Sequence, residues 1–231
     1  MTTDELLSTS AFGRRQDLSA HGSTTSARAS NGWEQSAKRV LDVVGSLFGL
    51  LILFPVLLIT ALLVKLTSRG PALYRQERIG LHGQQFRVWK FRSMRCGSDK
   101  AVAELMAAHG GYGPFYKMRS DPRITLFGRL LRRWSIDELP QLINVLKGEM
   151  SLIGPRPQVQ AEVDQYAPEH HRRLTVKPGI TGLWQVSGRS DVPRHEALLL
   201  DLHYVDTWSL RRDLHILLKT AKAVATARGA C

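Results

Sequence analysis

Cysteine is nearly absent from this chain, which has only Cys96 and Cys231 among its 231 residues. Two cysteines do not suggest a disulfide framework, and neither lies in a metal-ligand spacing. The eight histidines also lack the HxH and HExxH spacings of zinc sites. The glycine-rich loop at residues 110–114 is not a phosphate-binding fingerprint, because its spacing is wrong and no strand precedes it. The cysteine content fits a reducing compartment.

Acidic residues are outnumbered by basic ones, 20 against 32, which gives a formal net charge of +12. The excess is uneven, since residues 1–37 carry a net charge of −1 and the remainder carries +13. The folded part is therefore the basic part. Such a charge favours an anionic partner: nucleic acid, an acidic membrane surface or a phosphorylated substrate. Charge alone does not choose among these three.

Residues 1–34 are rich in Ser, Thr, Ala and Gly and show no apolar periodicity. This composition predicts a disordered tail. The tail also lacks the basic start, apolar core and cleavage site of a signal peptide.

One long apolar run follows the tail, from Val43 to Val64, and it contains no charged residue. As a helix it would be roughly 33 Å long, which is enough to span the core of a bilayer. A buried helix of a soluble core is the alternative, but the run is too long and too uniformly apolar for it. We therefore predict a membrane helix over residues 35–69.

The flanks of this run leave its topology open. Lys38 and Arg39 precede it and Lys65 and Arg69 follow it, so both ends have the cations expected on the cytoplasmic side. Pro55, near the middle, removes a helical hydrogen bond and favours a kink. These features favour a re-entrant helix slightly over a plain spanning anchor, in which a proline is also tolerated.

Residues 70–231 are predicted to form one compact cytosolic domain that is mostly helical, with a small sheet and amphipathic interfacial helices. The overall class is thus α/β, mostly α, in a monotopic membrane protein. The predicted elements are strands at Ala72–Tyr74 and Gln85–Phe91, helices at 99–109, 159–173 and in the C-terminal third, a stiff loop at Ser151–Pro157 and a turn at 177–182.

Two amphipathic helices are predicted around residue 135, because apolar residues recur there at helical spacing. They are Phe127, Leu130, Leu131 and Trp134 in the first helix, and Leu139, Leu142, Ile143 and Leu146 in the second. Ser135 and Glu138 have the spacing of a capping box. Pro140 instead suggests a helix that starts at the proline. Both interpretations place Asp137 and Glu138 at a helix start, where anions are favoured.

Asp137 and Glu138 are the sharpest candidates for catalysis. Two solvated acids at a helix start are the simpler interpretation. Five arginines crowd this pair, however, and nearby cations lower the pKa of a carboxylate and keep it ionised. An ionised carboxylate can attack phosphorus, and its neighbour can hold a hard divalent cation. The five are Arg119, Arg123, Arg129, Arg132 and Arg133.

Three other residues could take part in such a site. Asp213 lies beside the apolar stripe of its helix and needs a cation or a donor, and an ion pair with Arg211 or Arg212 is the structural alternative. Arg156, between two prolines, and Arg189, after Gly188, are arginines on rigid loops. Arginine recognises phosphate through a fixed fork of donors, although a surface role is the simpler interpretation for each one alone.

Several motifs, taken in order over roughly Lys38 to Thr220, make the chain resemble the bacterial sugar transferases. These are monotopic polyprenyl-phosphate phosphoglycosyl transferases that load the first sugar of a surface glycan. The motifs are Lys38-Arg39-x-x-Asp42, Gly70-Pro71, Tyr74-Arg75-Gln76, Lys90-Phe91-Arg92-Ser93-Met94, Asp121-Pro122-Arg123, Ser135-x-Asp137-Glu138-Leu139-Pro140-Gln141-Leu142, Met150-Ser151-Leu152-x-Gly154-Pro155-Arg156-Pro157 and Pro178-Gly179-Ile180-Thr181-Gly182-x-x-Gln185-Val186-x-Gly188-Arg189.

The resemblance implies a two-step reaction. Asp137 would attack the β-phosphate of a UDP-sugar and release UMP, and the sugar phosphate would then pass to a polyprenyl phosphate. Glu138 matches the residue that coordinates Mg²⁺. The other positions that the resemblance ties to the site or to phosphate binding are Lys90, Arg92, Arg132, Arg156, Arg189 and Asp213.

The resemblance also implies a location and partners. The catalytic domain would lie on the cytoplasmic face of the inner membrane, with the helix broken at Pro55. Nucleic acid is not an expected partner, and a homo-oligomer is left open. The chain ending at Gly229-Ala230 resembles members that start exopolysaccharides or O-antigens with a hexose, often galactose or glucose.

Two features depart from the family pattern. Phe54 stands before the proline where small members often have Ser, and the tail is too short to supply the multi-span membrane domain of larger members. One hypothesis from another class remains beside the enzyme: a non-catalytic adaptor whose basic face binds anionic lipid or nucleic acid.

Overall fold

The computed structural model describes residues 32–95, 121, 123–188 and 192–226. The predicted helix at 99–109, the loop at 110–114, Arg119 and Arg189 lie outside the described residues, as do both cysteines and all but the last three residues of the predicted tail.

Helix α1 comprises Gly32–Thr67, a single helical element of 36 residues with Pro55 inside it. It begins three residues before the predicted boundary, and in the described part of the chain it is the one helix long and apolar enough to cross a membrane. Most of its large apolar side chains are exposed, unlike those of a core helix. This exposure is compatible with a monotopic membrane protein. The exposed side chains include Leu41, Val44, Leu47, Phe48, Leu51, Ile52, Phe54, Leu58, Ile59, Leu62 and Leu66.

The N-terminal part of α1 is docked on the rest of the protein by three polar residues. Lys38 Nζ forms an ion pair of 2.6 Å with Asp213 and donates to the carbonyl of Ile153. Arg39 donates to the carbonyl oxygens of Val145 and Leu146 at the end of a later helix. The buried carboxylate of Asp42 accepts hydrogen bonds of 2.9 Å from the Ser151 hydroxyl and the Leu152 N–H.

The C-terminal part of α1 also packs on the folded domain. Val64 is buried in an apolar cluster with Phe91 and Leu131. The buried guanidinium of Arg92 donates to the carbonyl and the hydroxyl oxygen of Ser68, just beyond the helix end. Segments on both sides of Pro55 therefore contact the same domain.

Strands β1 (Leu73–Ile79) and β2 (Gln85–Phe91) form an antiparallel hairpin in which Leu73 pairs with Phe91 and Ile79 with Gln85. The prediction for β2 is confirmed at both ends. The prediction for β1 stopped five residues too early, because Arg75–Arg78 are polar and carry no apolar alternation. The turn contains Gly83 at φ 77°, in the left-handed region that glycine adopts without a steric cost.

Helix α2 comprises Leu126–Arg133, and the Thr125 hydroxyl caps its start by accepting from the N–H of Gly128. The predicted helix is thus confirmed, but its apolar residues divide between two surroundings. Leu131 is buried, whereas Leu126 is 81% exposed, and Leu130 and Trp134 are also exposed. A helix with exposed leucines beside arginines is typical of one that lies at a membrane surface.

The prediction that Asp137 and Glu138 lie at a helix start is confirmed, since a 3₁₀ helix begins directly after Ser135 and has both acids in its first turn. Ser135 has φ 55° and makes no side-chain capping bond, so the capping box is wrong. Pro140 lies inside a 3₁₀ helix, Ile136–Gln141, and helix α3 (Leu142–Lys147) follows it. The chain must turn sharply at Ser135 to bring the acidic pair against the hairpin, and the left-handed backbone at that residue provides the turn.

Strands β3 (Ser151–Ile153) and β4 (Gly179–Thr181) form a parallel pair. The sequence predicted a loop and a turn there, and both predictions are wrong for these residues. The short strands show too little alternation to be recognised. A Cβ on Gly179 would lie 2.0 Å from the Gly154 nitrogen, so the close approach of the two segments excludes a side chain at this position.

The helix predicted over 159–173 is not continuous. It forms two shorter elements, α4 (Gln160–Val163) and a 3₁₀ helix that begins at Pro168 and ends at Thr175. Helix α5 (Leu183–Val186) follows β4. The predicted C-terminal helices are confirmed as α6 (Arg194–Asp206) and α7 (Leu210–Thr226).

Candidate active site

The centre of the candidate site is the carboxylate of Glu138, which contacts two cations. Its Oε1 lies 2.8 Å from Lys90 Nζ and 2.8 Å from Arg156 Nη2. Its Oε2 makes a longer contact of 3.4 Å with Arg156 Nη1. The guanidinium of Arg156 therefore faces both carboxylate oxygens, which is the fork geometry that arginine favours.

Three separate elements bring these groups together. Side chains of a strand alternate between faces, so Lys90 shares the inner face of β2 with Phe86 and the buried Val88. Glu138 lies in the 3₁₀ helix that packs against β2. Arg156 follows β3, held between two prolines that limit its backbone.

Electrostatics keep Glu138 ionised. Burial by itself would raise its pKa, but the charges of Arg156 and Lys90 and the hydrogen bonds that both donate outweigh burial and hold the pKa well below its usual range. The pKa of Arg156 is raised, chiefly by Glu138. Burial lowers the pKa of Lys90, although Glu138 opposes the shift.

The pKa of Asp137 is shifted in the opposite direction. Only 8% of the residue is exposed, and none of the described residues forms an ion pair or hydrogen bond with its carboxylate. Burial and the neighbouring negative charge of Glu138 raise its pKa, and Lys90, Arg132 and Arg156 only partly oppose them. The expectation that nearby cations would lower both pKa values is thus wrong for Asp137, because the cations contact Glu138 instead.

Arg132 and Arg78 surround the pair. Arg132 reaches from α2 and its Nε donates to the Ser93 hydroxyl at 2.9 Å, and its charge acts on Asp137. Sequence reasoning missed Arg78, whose pKa is lowered to about 10 by burial and then by Arg156. Arg78 lies on β1, in the part of the strand that the prediction left out. A prediction of the full strand would have paired Arg78 with Phe86 and placed both on the inner face of the hairpin.

An open cleft of about 220 Å³ lies beside Glu138. Arginine and lysine side chains dominate its polar surface, so it suits an anion. Its lining residues are Arg78, Val88, Lys90, Glu138, Gln141, Arg156, Pro157 and Gly179.

Other predicted site residues lie elsewhere or outside the described residues. Arg92 contacts Ser68 at the end of α1, and Asp213 contacts Lys38, Tyr204 and Trp208 near its start. The ion pair of Asp213 with Arg211 or Arg212 is wrong, since its partner is Lys38. Arg189 lies outside the described residues, so its role stays a prediction.

Comparison with known protein families identifies the relationship. A model of the family described as bacterial sugar transferase matches residues 33–227. The chain belongs to this family.

Individual relatives of this sugar transferase are 42–46% identical to it. The undecaprenyl-phosphate galactose phosphotransferase of Salmonella typhimurium is 46% identical over 198 residues, which cover 84% of this chain and 41% of that protein. The UDP-glucose:undecaprenyl-phosphate glucose-1-phosphate transferase of Caulobacter vibrioides is 44% identical over 200 residues, 82% of this chain and 70% of that protein.

The matched region makes up a larger share of a third relative. The exopolysaccharide production protein ExoY of Sinorhizobium fredii is 42% identical over 197 residues, which cover 84% of this chain and 87% of that protein. By contrast, the chain spans about two-fifths of the length of the Salmonella protein.

The two ion pairs of Glu138 predict how this sugar transferase responds to acid. Glu138 has a depressed pKa in the folded state, so its ion pairs stabilise the protein above the unfolded pKa, about 4.3, and lose this effect as the pH falls through the folded pKa. We expect Arg156→Gln to raise the pKa of Glu138 and to lower the free energy of unfolding at pH 7. The loss should be less than the roughly 3–5 kcal/mol for breaking a buried pair, because Lys90 remains.

Thermal unfolding in detergent at pH 7 and at pH 4 tests this expectation. The destabilisation by Arg156→Gln should shrink at pH 4, where Glu138 in the variant can take up a proton. Arg87→Gln is the matched control, because Arg87 pairs with Glu77 on the exposed outer face of the hairpin. Equal effects of the two variants, or an effect of Arg156→Gln that does not change with pH, would contradict the proposed electrostatics.

Proposed function

We propose that this sugar transferase moves a sugar phosphate from a UDP-sugar to a polyprenyl phosphate and releases UMP. One observation carries the proposal: of two adjacent carboxylates in a basic site, Glu138 is neutralised by two cations and Asp137 is not. Such a pair provides one fixed anion and one carboxylate that is free to react. The names of the Salmonella and Caulobacter relatives, both of which mention undecaprenyl phosphate, support the substrate classes.

The reaction has two displacement steps at one phosphorus atom. In the first, an oxygen of ionised Asp137 attacks the β-phosphorus of the UDP-sugar, and the bond from this phosphorus to the bridging oxygen of the diphosphate breaks. UMP leaves with the electron pair, and the sugar phosphate is bonded to Asp137. In the second, a phosphate oxygen of the polyprenyl phosphate attacks the same phosphorus, which restores the Asp137 carboxylate and yields a lipid diphosphate sugar.

The cations of the site have separate parts in these steps. Arg156 and Lys90 hold Glu138 and present positive charge to the cleft, where the diphosphate would add negative charge. Arg132 acts on Asp137 and favours its ionised form. Preorganised charge of this kind is the main contribution of a protein to phosphoryl transfer. The cleft is open to solvent, so the described residues enclose only part of such a substrate.

Mg²⁺ fits the donor set at this site. Mg²⁺ is usually held by one or two carboxylates together with phosphates of the substrate and water, and Asp137 and Glu138 are two adjacent carboxylates. Glu138 Oε2 has only the longer contact with Arg156 and is the oxygen better suited to coordination. The described residues contain no group of three or more His, Cys, Asp or Glu residues that could hold a metal without substrate. When bound, the metal would offset negative charge on the diphosphate.

We further propose that the transferred group is a hexose phosphate, with galactose and glucose as the first candidates. The names of the Salmonella and Caulobacter relatives contain these two sugars. The name of the Sinorhizobium relative places that protein in exopolysaccharide production, so we place this reaction at the first membrane step of a surface glycan. A non-catalytic adaptor would bind anions equally well but would not need Asp137.

Helix α1 is proposed to enter the membrane and return to the same side. The support is that Asp42 and Val64, on opposite sides of Pro55, are both buried against one domain. Ends separated by a bilayer core of about 30 Å could not both contact a domain on one side. Pro55 cannot donate the helical hydrogen bond at its position and is the natural place for a bend. The catalytic domain would then lie on the cytoplasmic face of the inner membrane.

The covalent step predicts complete dependence on Asp137. We expect Asp137→Asn to abolish both UMP release and the labelling of the protein by a UDP-sugar with ³²P in the β-phosphate, because an amide does not attack phosphorus. The assay uses purified protein in detergent with a polyprenyl phosphate, Mg²⁺, and UDP-galactose and UDP-glucose in parallel. Asp164→Asn, which changes an exposed acid, should retain activity. Release of UDP in place of UMP, or turnover by Asp137→Asn, would refute the proposal.

The raised pKa of Asp137 predicts the acid limb of the pH profile. Since Asp137 must be ionised to attack, kcat/KM for UMP release should rise with pH through an apparent pKa above the ordinary value of about 3.9. Arg132→Gln should move this limb to higher pH, because the charge of Arg132 lowers the pKa of Asp137. A limb at or below the ordinary aspartate value, or one that Arg132→Gln leaves in place, would contradict the assignment.

The re-entrant helix predicts that both flanks of α1 lie on the cytoplasmic side. Single cysteines at Gln35→Cys and Thr67→Cys, in a chain with Cys96 and Cys231 changed to serine, can be labelled with a membrane-impermeant maleimide. Both positions are exposed. We expect labelling of both in inside-out vesicles and of neither in intact spheroplasts. Flanks that label from opposite sides would establish a spanning anchor and leave the chemistry untouched.

A further inference from the structure

The loop that presents Arg156 is held at each of its carbonyl groups. The four donors are two backbone N–H groups and two arginine side chains, and they come from three elements: β1, β4 and the 3₁₀ helix Pro168–Thr175. The Pro155 carbonyl accepts from Gly179 N–H at 2.9 Å, that of Arg156 from Arg173 Nη2 at 3.0 Å, that of Pro157 from Arg78 Nη1 at 3.3 Å and that of Gln158 from Ile79 N–H at 2.9 Å.

Arg173 is the more deeply buried of the two arginines, with 3% of its side chain exposed against 15% for Arg78. It lies in the 3₁₀ helix Pro168–Thr175 and pairs with Asp201 of α6, and both side chains are almost fully buried. Its Nε donates to Asp201 Oδ2 at 3.0 Å, and its Nη1 donates to the hydroxyl of Tyr166. That hydroxyl in turn donates to the Gln158 side chain, at the end of the same loop.

Burying the Arg173–Asp201 ion pair costs free energy, and packing alone does not explain why two charged side chains occupy this position. Burying two charges removes them from water, and an apolar pair of similar volume is often as stable or more stable. Asp201 Oδ1 is buried and accepts no hydrogen bond from the described residues. Burial raises the pKa of Asp201 to about 6 even though Arg173 opposes it. What the pair does supply is a fixed direction for the Arg173 guanidinium, whose third side reaches the Arg156 carbonyl.

A neighbouring pair provides the comparison. Arg172 and Asp206 join the same 3₁₀ helix to the same α6 at 2.8 Å. In this outer pair Arg172 is exposed and Asp206 is partly exposed, and Arg172 donates to Asp206 and to the Glu169 carbonyl. Two ion pairs thus connect the same elements, and the inner one is also bonded to the loop that carries Arg156.

We propose that the buried Arg173–Asp201 pair positions Arg156. Arg173 donates to the Arg156 carbonyl, and this contact fixes the backbone so that the guanidinium of Arg156 faces Glu138 and the cleft. Arg173 and Asp201 are positioning residues, since they act through Arg156 and touch no reacting group. The inference rests on the proposed function only for the part that Arg156 plays toward the substrate. The structural coupling between Arg173 and Arg156 stands independently of it.

A spectroscopic experiment tests the coupling without turnover. In protein labelled with ¹⁵N-arginine, the Nε–Hε signal of Arg156 is assigned by its loss in Arg156→Lys. We expect Arg173→Lys and Asp201→Asn to shift or broaden this signal, because lysine lacks the planar fork and Asn lacks the charge. The outer variants Arg172→Lys and Asp206→Asn should leave it unchanged. An Arg156 signal that the inner variants do not move would overturn the proposal.

A double-mutant cycle tests the consequence for the reaction. We expect Arg173→Lys to lower kcat/KM for UMP release by about tenfold or more in the wild-type background and by less than about twofold in Arg156→Ala, because residues that act through one another are not additive. Equal losses in both backgrounds would show that Arg173 acts only on general stability and would overturn the proposal.

Two further measurements distinguish failure of the positioning proposal from misfolding of a variant and from failure of the proposed function. If an inner variant does not fold, as judged by thermal unfolding, Tyr166→Phe removes only one partner of Arg173 and should shift the Arg156 signal in the same direction to a smaller extent; no shift would count against the proposal. If Asp137→Asn retains turnover, the proposed function fails, while the Arg156 signal still decides whether Arg173 and Arg156 are coupled.

Discussion

The carboxylate of Glu138 lies between Lys90 and Arg156, and the rest of the site follows from this contact. Lys90 comes from a hairpin, Glu138 from a 3₁₀ helix and Arg156 from a loop after a parallel strand, so the ion pairs connect three parts of the chain. They also create the difference between the two acids. Because both cations are directed at Glu138, Asp137 stays buried beside a negative charge with a raised pKa, and its ionisation depends on weaker contributions from the surrounding charges.

A second group of buried polar contacts sets the position of α1. Asp42, Lys38 and Arg92 lie in motifs that also characterise the family resemblance, and in this structure they connect the two ends of α1 to the folded domain. Arg92 and Asp213 were assigned to the site by resemblance, yet Arg92 contacts Ser68 at one end of α1 and Asp213 contacts Lys38 at the other. Under the proposed function, α1 and the exposed apolar residues of α2 would place the site close to the surface that a lipid substrate approaches.

The sequence predicted the elements whose apolar residues form a long run or recur with a regular period. The segment of α1 was recognisable as one long apolar run, and strand β2 and helices α2 and α7 were recognisable because their apolar residues recur with a period of about two or 3.6. The short strands β3 and β4, the 3₁₀ helix that carries Asp137 and the left-handed Ser135 were not. Three residues cannot show a period, and these segments are held by contacts with distant parts of the chain: β3 pairs with β4, and the 3₁₀ helix packs on β2.

The sequence by itself determined the chemical inventory: a basic domain behind one long apolar helix, an adjacent pair of acids among arginines, and motifs that identify the family. Only the tertiary structure decided which cation meets which acid. Ion pairs depend on distance in space, and residues 90, 138 and 156 lie 48 and 18 positions apart in the chain. For the same reason, the partner of Asp213 is Lys38, 175 positions away, and not the adjacent arginines that its sequence neighbourhood offered.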